Sequence, residues 1–305
     1  MKSITIKKFA QILKDRIKNL KVITNKSFKD LTTFKIGGKI LCLVEVDEIG
    51  VLLKVIKLAK EFKKPYLVVG AGSNILASDK TCKKVVIKIS FNEIKLRDNE
   101  LICGAGVKLF ALNNFAIKNC LSGLEWSFGI PGSLGGAVKM NAGSFGGEIK
   151  DVVRCVYYTD GEKIYKKDNK SLEFAYRKSF FSNNDYIILK IVLVLKKINN
   201  KEKIEKLCFE NYEKRRNLQP YNLPSAGSVF KRPQEDVFVP VLIEKCSLKG
   251  FKIGGAQVSK KHCGFIVNLN GNAKFSNVLK IINKIKKTVF KNCGIILQEE
   301  IIIFK

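Results

Sequence analysis

Two glycine-bearing loops carry the residue types that let backbone close on a flat, anionic ligand. Residues 129–147 read GIPGSLGGAVKMNAGSFGG and residues 70–74 read GAGSN. Glycine permits positive φ and close approach of the chain to a ligand. In the longer stretch, Ser133, Gly135, Gly136 and Ala137 can turn successive backbone N–H groups toward a pyrophosphate. Asn141 and Ser144 offer side-chain hydrogen bonds to a nucleotide or ring edge. The irregular interleaving of Ile130, Pro131, Leu134, Val138 and Met140 is unlike that of a flexible spacer. Gly70, Ala71, Gly72, Ser73 and Asn74 supply a second row of amides suited to a diphosphate. Neither loop is a standard nucleotide fingerprint. The third glycine position of G-x-G-x-x-G holds Ile75, and residues 129–147 contain no G-x-x-x-x-G-K-[ST]. Taken alone, each loop reads equally as a tight strand exit or a packing loop; together they favour a nucleotide-type cofactor. The single histidine, His262, invites a general-base reading, but no carboxylate partner stands near it in the sequence.

The elements around these loops alternate in type. Apolar residues at helical spacing predict helices over 6–20, 47–62 and near 109–119. Short apolar runs predict strands at 40–46, 66–69, 85–89 and 100–103, and the loop 70–74 follows one of them directly. Beyond the glycine-rich stretch, 152–159, the turn Asp160-Gly161, 163–166 and 186–195 read as strands. A charged helix over 202–218 stops before Pro220, which makes this a domain boundary. Ser276 is expected to cap a helix running to 290, Gly294 to end it, and 295–304 to form a terminal strand. No internal repeat is present. The 305 residues suffice for two or three domains with sizeable cores.

Composition narrows the class. The formal charge of +29 invites a polyanion partner, yet only seven of the 56 basic residues are arginine and the lysines are spread along the chain. Direct base readout favours arginine forks on defined helices, so nucleic-acid binding is disfavoured. What survives is a field that attracts small anions. Nine cysteines without a C-x-x-C spacing argue against a disulfide framework or a zinc site, and no metal is expected. No signal peptide or apolar run long enough to span a bilayer is evident, which points to a cytoplasmic protein without membrane attachment.

Several motifs then align in one order. GLEWSFGIPGSLGGAVKMNAGSFG resembles the flavin-binding signature of the UDP-N-acetylenolpyruvoylglucosamine reductase (UDP-N-acetylmuramate dehydrogenase) family. SFKDLTTFKIGG at 27–38 is similar to the N-terminal motif of that family, and VVGAGSNIL at 68–76 to its first flavin loop. YRKS at 176–179, SAGSVFKRP at 225–233, GGAQVS at 254–259, then Lys261-His262 and GFIVN at 264–268 follow in register. The likeness covers nearly the whole chain. It departs at Arg232, where many relatives carry asparagine, at Lys39 in place of a frequent proline, and at Ile301-Ile302, where an arginine commonly follows.

The resemblance implies an α+β fold: a two-part FAD-binding domain of the vanillyl-alcohol-oxidase type and a C-terminal α+β substrate-binding domain. On this reading residues 1–200 form the FAD domain, with subdomains of about 1–78 and 79–200, and 201–305 the substrate domain. The short spacing from Arg177 to Ser228 resembles the class that lacks an inserted substrate loop. The implied activity is NADPH-dependent reduction of UDP-N-acetylglucosamine enolpyruvate through FAD, in peptidoglycan precursor synthesis. The cofactor positions are Gly70, Ala71, Gly72, Ser73, Asn74, Ser133, Gly135, Gly136, Ala137, Asn141, Ala142 and Gly143. Arg177 matches the residue that stabilises the enolate, Ser228 the proton donor, and Glu300 the glutamate on the carboxylate side of the substrate. Glu299 faces the other way, because neighbours on a strand alternate. Lys231, Gln257 and His262 fall on the substrate side. With one histidine, FAD is expected to be non-covalent, and the protein monomeric. The rivals are another FAD-dependent oxidoreductase of the same fold and a basic nucleic-acid-binding protein.

Overall fold

A computed structural model describes residues 4–305. The chain divides into two compact units, each assembled from separated stretches of sequence. One comprises the chain through Asn25, Ile40–Ala71 and Lys83–Glu213; the other comprises Lys26–Lys39, Gly72–Cys82 and Lys214–Lys305.

The larger unit holds two sheets. In the first, the strands Lys21–Ile23, Ile40–Val46, Cys82–Ile89 and Tyr66–Val69 lie in that order. The last two run parallel, and a helix connects Ile40–Val46 to Tyr66–Val69. That helix, Ile49–Glu61, buries Leu52, Val55, Ile56 and Ala59. The helix Ile6–Arg16 adds Phe9 and Leu13, both fully buried. Thr5 caps it, its hydroxyl accepting from the Lys8 N–H at 3.2 Å. It ends four residues before the expected bound, since Ile17 turns extended and Asn19 takes φ 62°.

The second sheet orders Ile164–Asp168, Val153–Thr159, Ile187–Val194, Glu100–Gly104 and Ile94–Arg97, all antiparallel. Its central strand, Ile187–Val194, buries residues on both faces, which is why its sequence is a near-continuous apolar run. The short helix Leu134–Lys139, inside the glycine-rich stretch, packs on this strand.

The smaller unit is an antiparallel sheet of Ser225–Ser228, Phe265–Asn268, Ala256–Val258 and Lys252–Ile253. The helix Phe275–Cys293 turns Val278, Ile281, Ile282, Ile285 and Val289 inward, as its spacing predicts. It begins at Phe275 rather than after Ser276. The Asp79 carboxylate accepts the Phe275 N–H at 2.9 Å, and Asn277 Oδ1 accepts the Lys274 N–H at 2.9 Å. The first of these partners is remote in sequence, so no local pattern announces it. Gly294 closes the helix in the left-handed region, φ 69°. The expected terminal strand shrinks to Ile302–Phe304, which pairs in parallel with Ile75–Ala77. Leu297 and Ile301 turn into the core instead.

Buried Asn268 binds the 26–39 stretch to this unit. Its Nδ2 donates to the Phe34 and Lys35 carbonyls at 3.0 and 3.2 Å, and its Oδ1 accepts from the Ala273 N–H at 2.8 Å. Among the described residues no helix is long and apolar enough to cross a membrane.

Candidate active site

In the larger unit the two glycine loops meet. A Cβ on Gly70 would sit against Ser133 Oγ, well inside van der Waals contact, so only glycine lets the two segments approach this closely. Ser133 is the N-cap of the helix Leu134–Lys139, yet its hydroxyl makes no capping bond. It is 4% exposed. Its hydroxyl faces the space that side chains on Gly70 and Gly136 would fill, a place a polar cofactor group fits.

The amide row is shorter than the sequence suggests. The Gly135 N–H donates to Ala105 O at 2.9 Å and the Ala137 N–H to Ser133 O at 2.9 Å. These two positions shape the loop by close packing. The Ala142 N–H donates likewise to Ala137 O at 2.8 Å.

Asn141 faces the protein. It is fully buried at φ 42°. Its Nδ2 donates to Ala175 O at 3.0 Å and Glu148 Oε2 at 3.1 Å, and its Oδ1 accepts from the Lys150 N–H at 3.3 Å. Both ends of the amide are thereby engaged, and what Asn141 holds is the loop that carries Arg177.

That loop is a two-residue turn. Ala175 and Lys178 exchange backbone hydrogen bonds, both 3.0 Å, and Arg177 sits at the tip with φ 51°. A left-handed arginine is strained and must be held. Its guanidinium donates to Gly143 O at 2.8 Å and Asn141 O at 3.5 Å and lies 5.0 Å from the Tyr176 ring centre. Ser179 and Ser182 Oγ both donate to Lys139 O, at 2.8 and 3.1 Å. Glycine-rich stretch and arginine loop are therefore one construction. Ser182 carries no sequence signal, since its partner lies 43 residues away. Burial lowers the Lys139 ammonium pKa below its ordinary value, with Asp185 opposing.

In the smaller unit Ser228 ends the strand Ser225–Ser228 and pairs with Phe265 across a register irregularity. The chain then forms a short ladder with the C-terminal segment. The Glu300 N–H donates to Val229 O at 2.8 Å, the Lys231 N–H to Gln298 O at 2.9 Å, and Phe230 bridges Glu299. The ladder sets Glu300 opposite Val229, next in the chain to Ser228, and Lys231 opposite Gln298. Glu299 is claimed by Lys286, whose ammonium reaches both carboxylate oxygens at 2.8 and 3.1 Å. Asn74 joins the first glycine loop to this ladder: its Nδ2 donates to Glu300 O at 3.1 Å, and its carbonyl accepts from the Ile302 N–H at 2.9 Å. Gly72 O accepts from the Thr33 N–H at 3.2 Å, while Thr33 Oγ1 donates to Ser225 O at 2.7 Å.

The other substrate-side candidates lie elsewhere on the sheet. Gln257 donates through Nε2 to Gly250 O at 3.0 Å. His262, in the turn before Phe265, accepts the Gly264 N–H at Nδ1, 3.2 Å, and packs edge-on to Phe265. Burial holds its pKa below the ordinary histidine value. A neutral ring that accepts at Nδ1 organises a turn. Arg232 donates to Glu235 O at 3.0 Å and lies 4.8 Å from the Phe238 ring centre, a local role for this departure from the family pattern.

Two glycine loops that meet in one unit and a ladder beside Ser228 and Glu300 in the other, in an α+β chain, fit a flavin-type oxidoreductase, the class to which the family matches assign it. The FAD binding domain family matches residues 40–162, and the C-terminal domain of UDP-N-acetylenolpyruvoylglucosamine reductase matches residues 219–304. The reductase of Pseudothermotoga lettingae is 44% identical over 270 residues, 88% of this chain and 93% of that protein. That of Clostridioides difficile is 42% identical over 272 residues, 88% of each. The crystal structure of the Thermus caldophilus reductase is 33% identical, covers 94% of this chain and 100% of its own, and superposes with a TM-score of 0.80. The chain belongs to the UDP-N-acetylenolpyruvoylglucosamine reductase family. It is an FAD-containing oxidoreductase with NADPH as reductant, acting in peptidoglycan precursor synthesis.

Proposed function

We propose that the chain reduces the enolpyruvyl ether of UDP-N-acetylglucosamine enolpyruvate to the lactyl ether of UDP-N-acetylmuramate, with Arg177, Ser228 and Glu300 as its catalytic residues. What supports this reading is the ladder 229–231 with 298–300, in which the Glu300 N–H bonds to the residue after Ser228 while Lys286 pairs with Glu299. Bound FAD would supply the hydride chemistry at carbon 3 of the enolpyruvyl group, with NADPH as reductant. Gly70–Asn74 and Ser133, Gly135, Gly136, Ala137, Asn141, Ala142 and Gly143 would hold it without a covalent link, Gly135, Ala137, Asn141 and Ala142 by shaping the loop.

Hydride arrival leaves charge on carbon 2 and the carboxylate. Arg177 stabilises that charge with a guanidinium already oriented by Gly143, so little reorganisation is needed as the charge develops. Ser228 delivers the proton to carbon 2. Glu300 acts on the carboxylate side, and Lys231 binds an anionic group of the nucleotide sugar. Gln257 and His262 shape the substrate side through the turns they hold. In this reading residues 1–200 carry the FAD domain and 201–305 the substrate domain, apart from Lys26–Lys39 and Gly72–Cys82, which fold with the C-terminal unit, and 201–213, which fold with the larger one; the protein is a monomer of the cytoplasm without nucleic-acid or membrane attachment. The likeness to the reductases over nearly the whole chain favours this over a rival flavin oxidase.

An anaerobic half-reaction experiment tests it. NADPH bleaches the flavin of the purified protein, and the enolpyruvyl nucleotide sugar alone restores the yellow colour. In Ser228→Ala bleaching persists and recovery is lost. A protein that binds no flavin, or a Ser228→Ala variant that recovers at the wild-type rate, overturns the assignment.

A further inference from the structure

Helical spacing gathers two sets of side chains around one cavity of the larger unit. On the helix Leu109–Lys118, Asn114, Ile117 and Lys118 stand at i, i+3 and i+4. At the start of the helix Lys201–Leu218, Lys201, Glu205, Cys208 and Phe209 stand at i, i+4, i+7 and i+8. With Phe128 they line a cavity of about 470 Å³, a size typical of small-molecule sites. None of the cofactor or catalytic positions lines it. The Phe128 ring is braced from behind the cavity lining: its centre lies 5.7 Å from that of Phe110 and, edge-on, 6.1 Å from that of Tyr212. Through Phe128 the rings of Phe110 and Phe209 join one apolar patch, although they are 57% and 63% exposed. Apolar surface left open in this way marks a place of binding.

The charges around the cavity select the sign of its occupant. The Glu205 carboxylate is engaged by Lys201 at 3.2 Å. Exposed Lys118 has no ion-pair partner among the described residues, so one cation is left over. Cys208 is buried. Burial, then Glu125 and Glu205, push its thiol up to about 12, and it lines the cavity as a neutral, apolar group. We propose that this cavity is a binding site for a small aromatic carboxylate or sulfonate. The ring of the ligand packs on Phe128 and Phe209 beside Ile117, and its anionic group meets the Lys118 ammonium. A cation of the same shape would face Lys118 without compensation. The net charge of +29 favours the same sign of ligand at long range. The site does not depend on the reductase reading, because it shares no residue with the cofactor or substrate positions.

The test titrates 8-anilinonaphthalene-1-sulfonate into the FAD-loaded full chain by calorimetry. Saturating UDP-N-acetylglucosamine enolpyruvate, without NADPH, keeps the probe out of nucleotide-binding surfaces. The expected result is one saturable site per chain, from which 1-naphthoate displaces the probe and 1-naphthylmethylamine does not. Phe209 and Lys118 are exposed, so their variants keep the fold. Phe209→Asp is expected to weaken binding about tenfold and Lys118→Gln severalfold. Lys206→Gln, an exposed lysine of the same helix outside the lining, leaves the affinity unchanged. The proposal fails if no saturable site is found, if Phe209→Asp binds as the wild type does, or if 1-naphthylmethylamine competes as well as 1-naphthoate. It also fails if Lys206→Gln weakens binding as much as Lys118→Gln, because the attraction then belongs to the overall charge and not to this cavity.

Discussion

At the scale of single residues, the decisive contrasts lie between neighbours of the same type. Glu299 and Glu300 are adjacent carboxylates with opposite fates. Glu300→Gln is expected to abolish turnover. Glu299→Gln removes a partly exposed pair with Lys286 and costs at most about 1 kcal/mol, leaving turnover intact; steady-state assays and thermal melts separate the two, and equal losses refute the assignment. Arg177 combines strain with function. Arg177→Lys keeps charge but loses the planar fork, so kcat is expected to fall on the order of 10²–10³-fold with Tm nearly unchanged. His262 gives a pH signature. Its folded pKa is depressed by burial below 6.5, so the unfolded chain binds the proton more readily. The stability it contributes is complete above pH 6.5 and is lost as pH falls through the folded value. His262→Asn retains an acceptor for the Gly264 N–H and removes the titration. Its urea midpoint is expected to decline less than the wild type's when pH drops from 7 to 5.

At the scale of elements, function rests on loops pinned by remote polar contacts. Asn141 is the pin for the arginine loop. Asn141→Ala removes the hydrogen bonds to the Ala175 carbonyl, the Glu148 carboxylate and the Lys150 N–H, which costs about 1–3 kcal/mol. It also loosens Arg177, so kcat is expected to fall further than the loss of stability explains; urea unfolding beside steady-state kinetics checks both. Helix ends show the same dependence. Sequence periodicity yields the inward face of Phe275–Cys293 residue by residue, but its first turn is capped by Asp79, nearly two hundred residues away.

At the scale of the whole molecule, the charge of +29 serves a small anionic substrate rather than a nucleic acid in this reading. Long-range attraction is screened by salt. The KM for the nucleotide sugar is therefore expected to rise severalfold between low and high ionic strength while kcat changes little. Each of the two compact units draws on separated stretches of chain, and the reason is visible in Asn268. This buried amide, with the buried Phe34 and Ile36, joins an N-terminal segment to the C-terminal sheet. The contact gains its energy only once residues more than two hundred positions apart have come together.

The sequence by itself determined the α+β class, most inward faces and the cofactor family, because periodicity and ordered glycine motifs are local records of burial and of close backbone approach. Only the tertiary structure decided which amides remain available. Gly135 and Ala137 spend theirs inside the protein, and Asn141 turns its side chain toward Ala175 and Glu148. It alone shortened the terminal strand and placed the Asp79 cap. A hydrogen bond is satisfied by whichever partner folding delivers, and sequence spacing carries no record of a partner delivered from far along the chain.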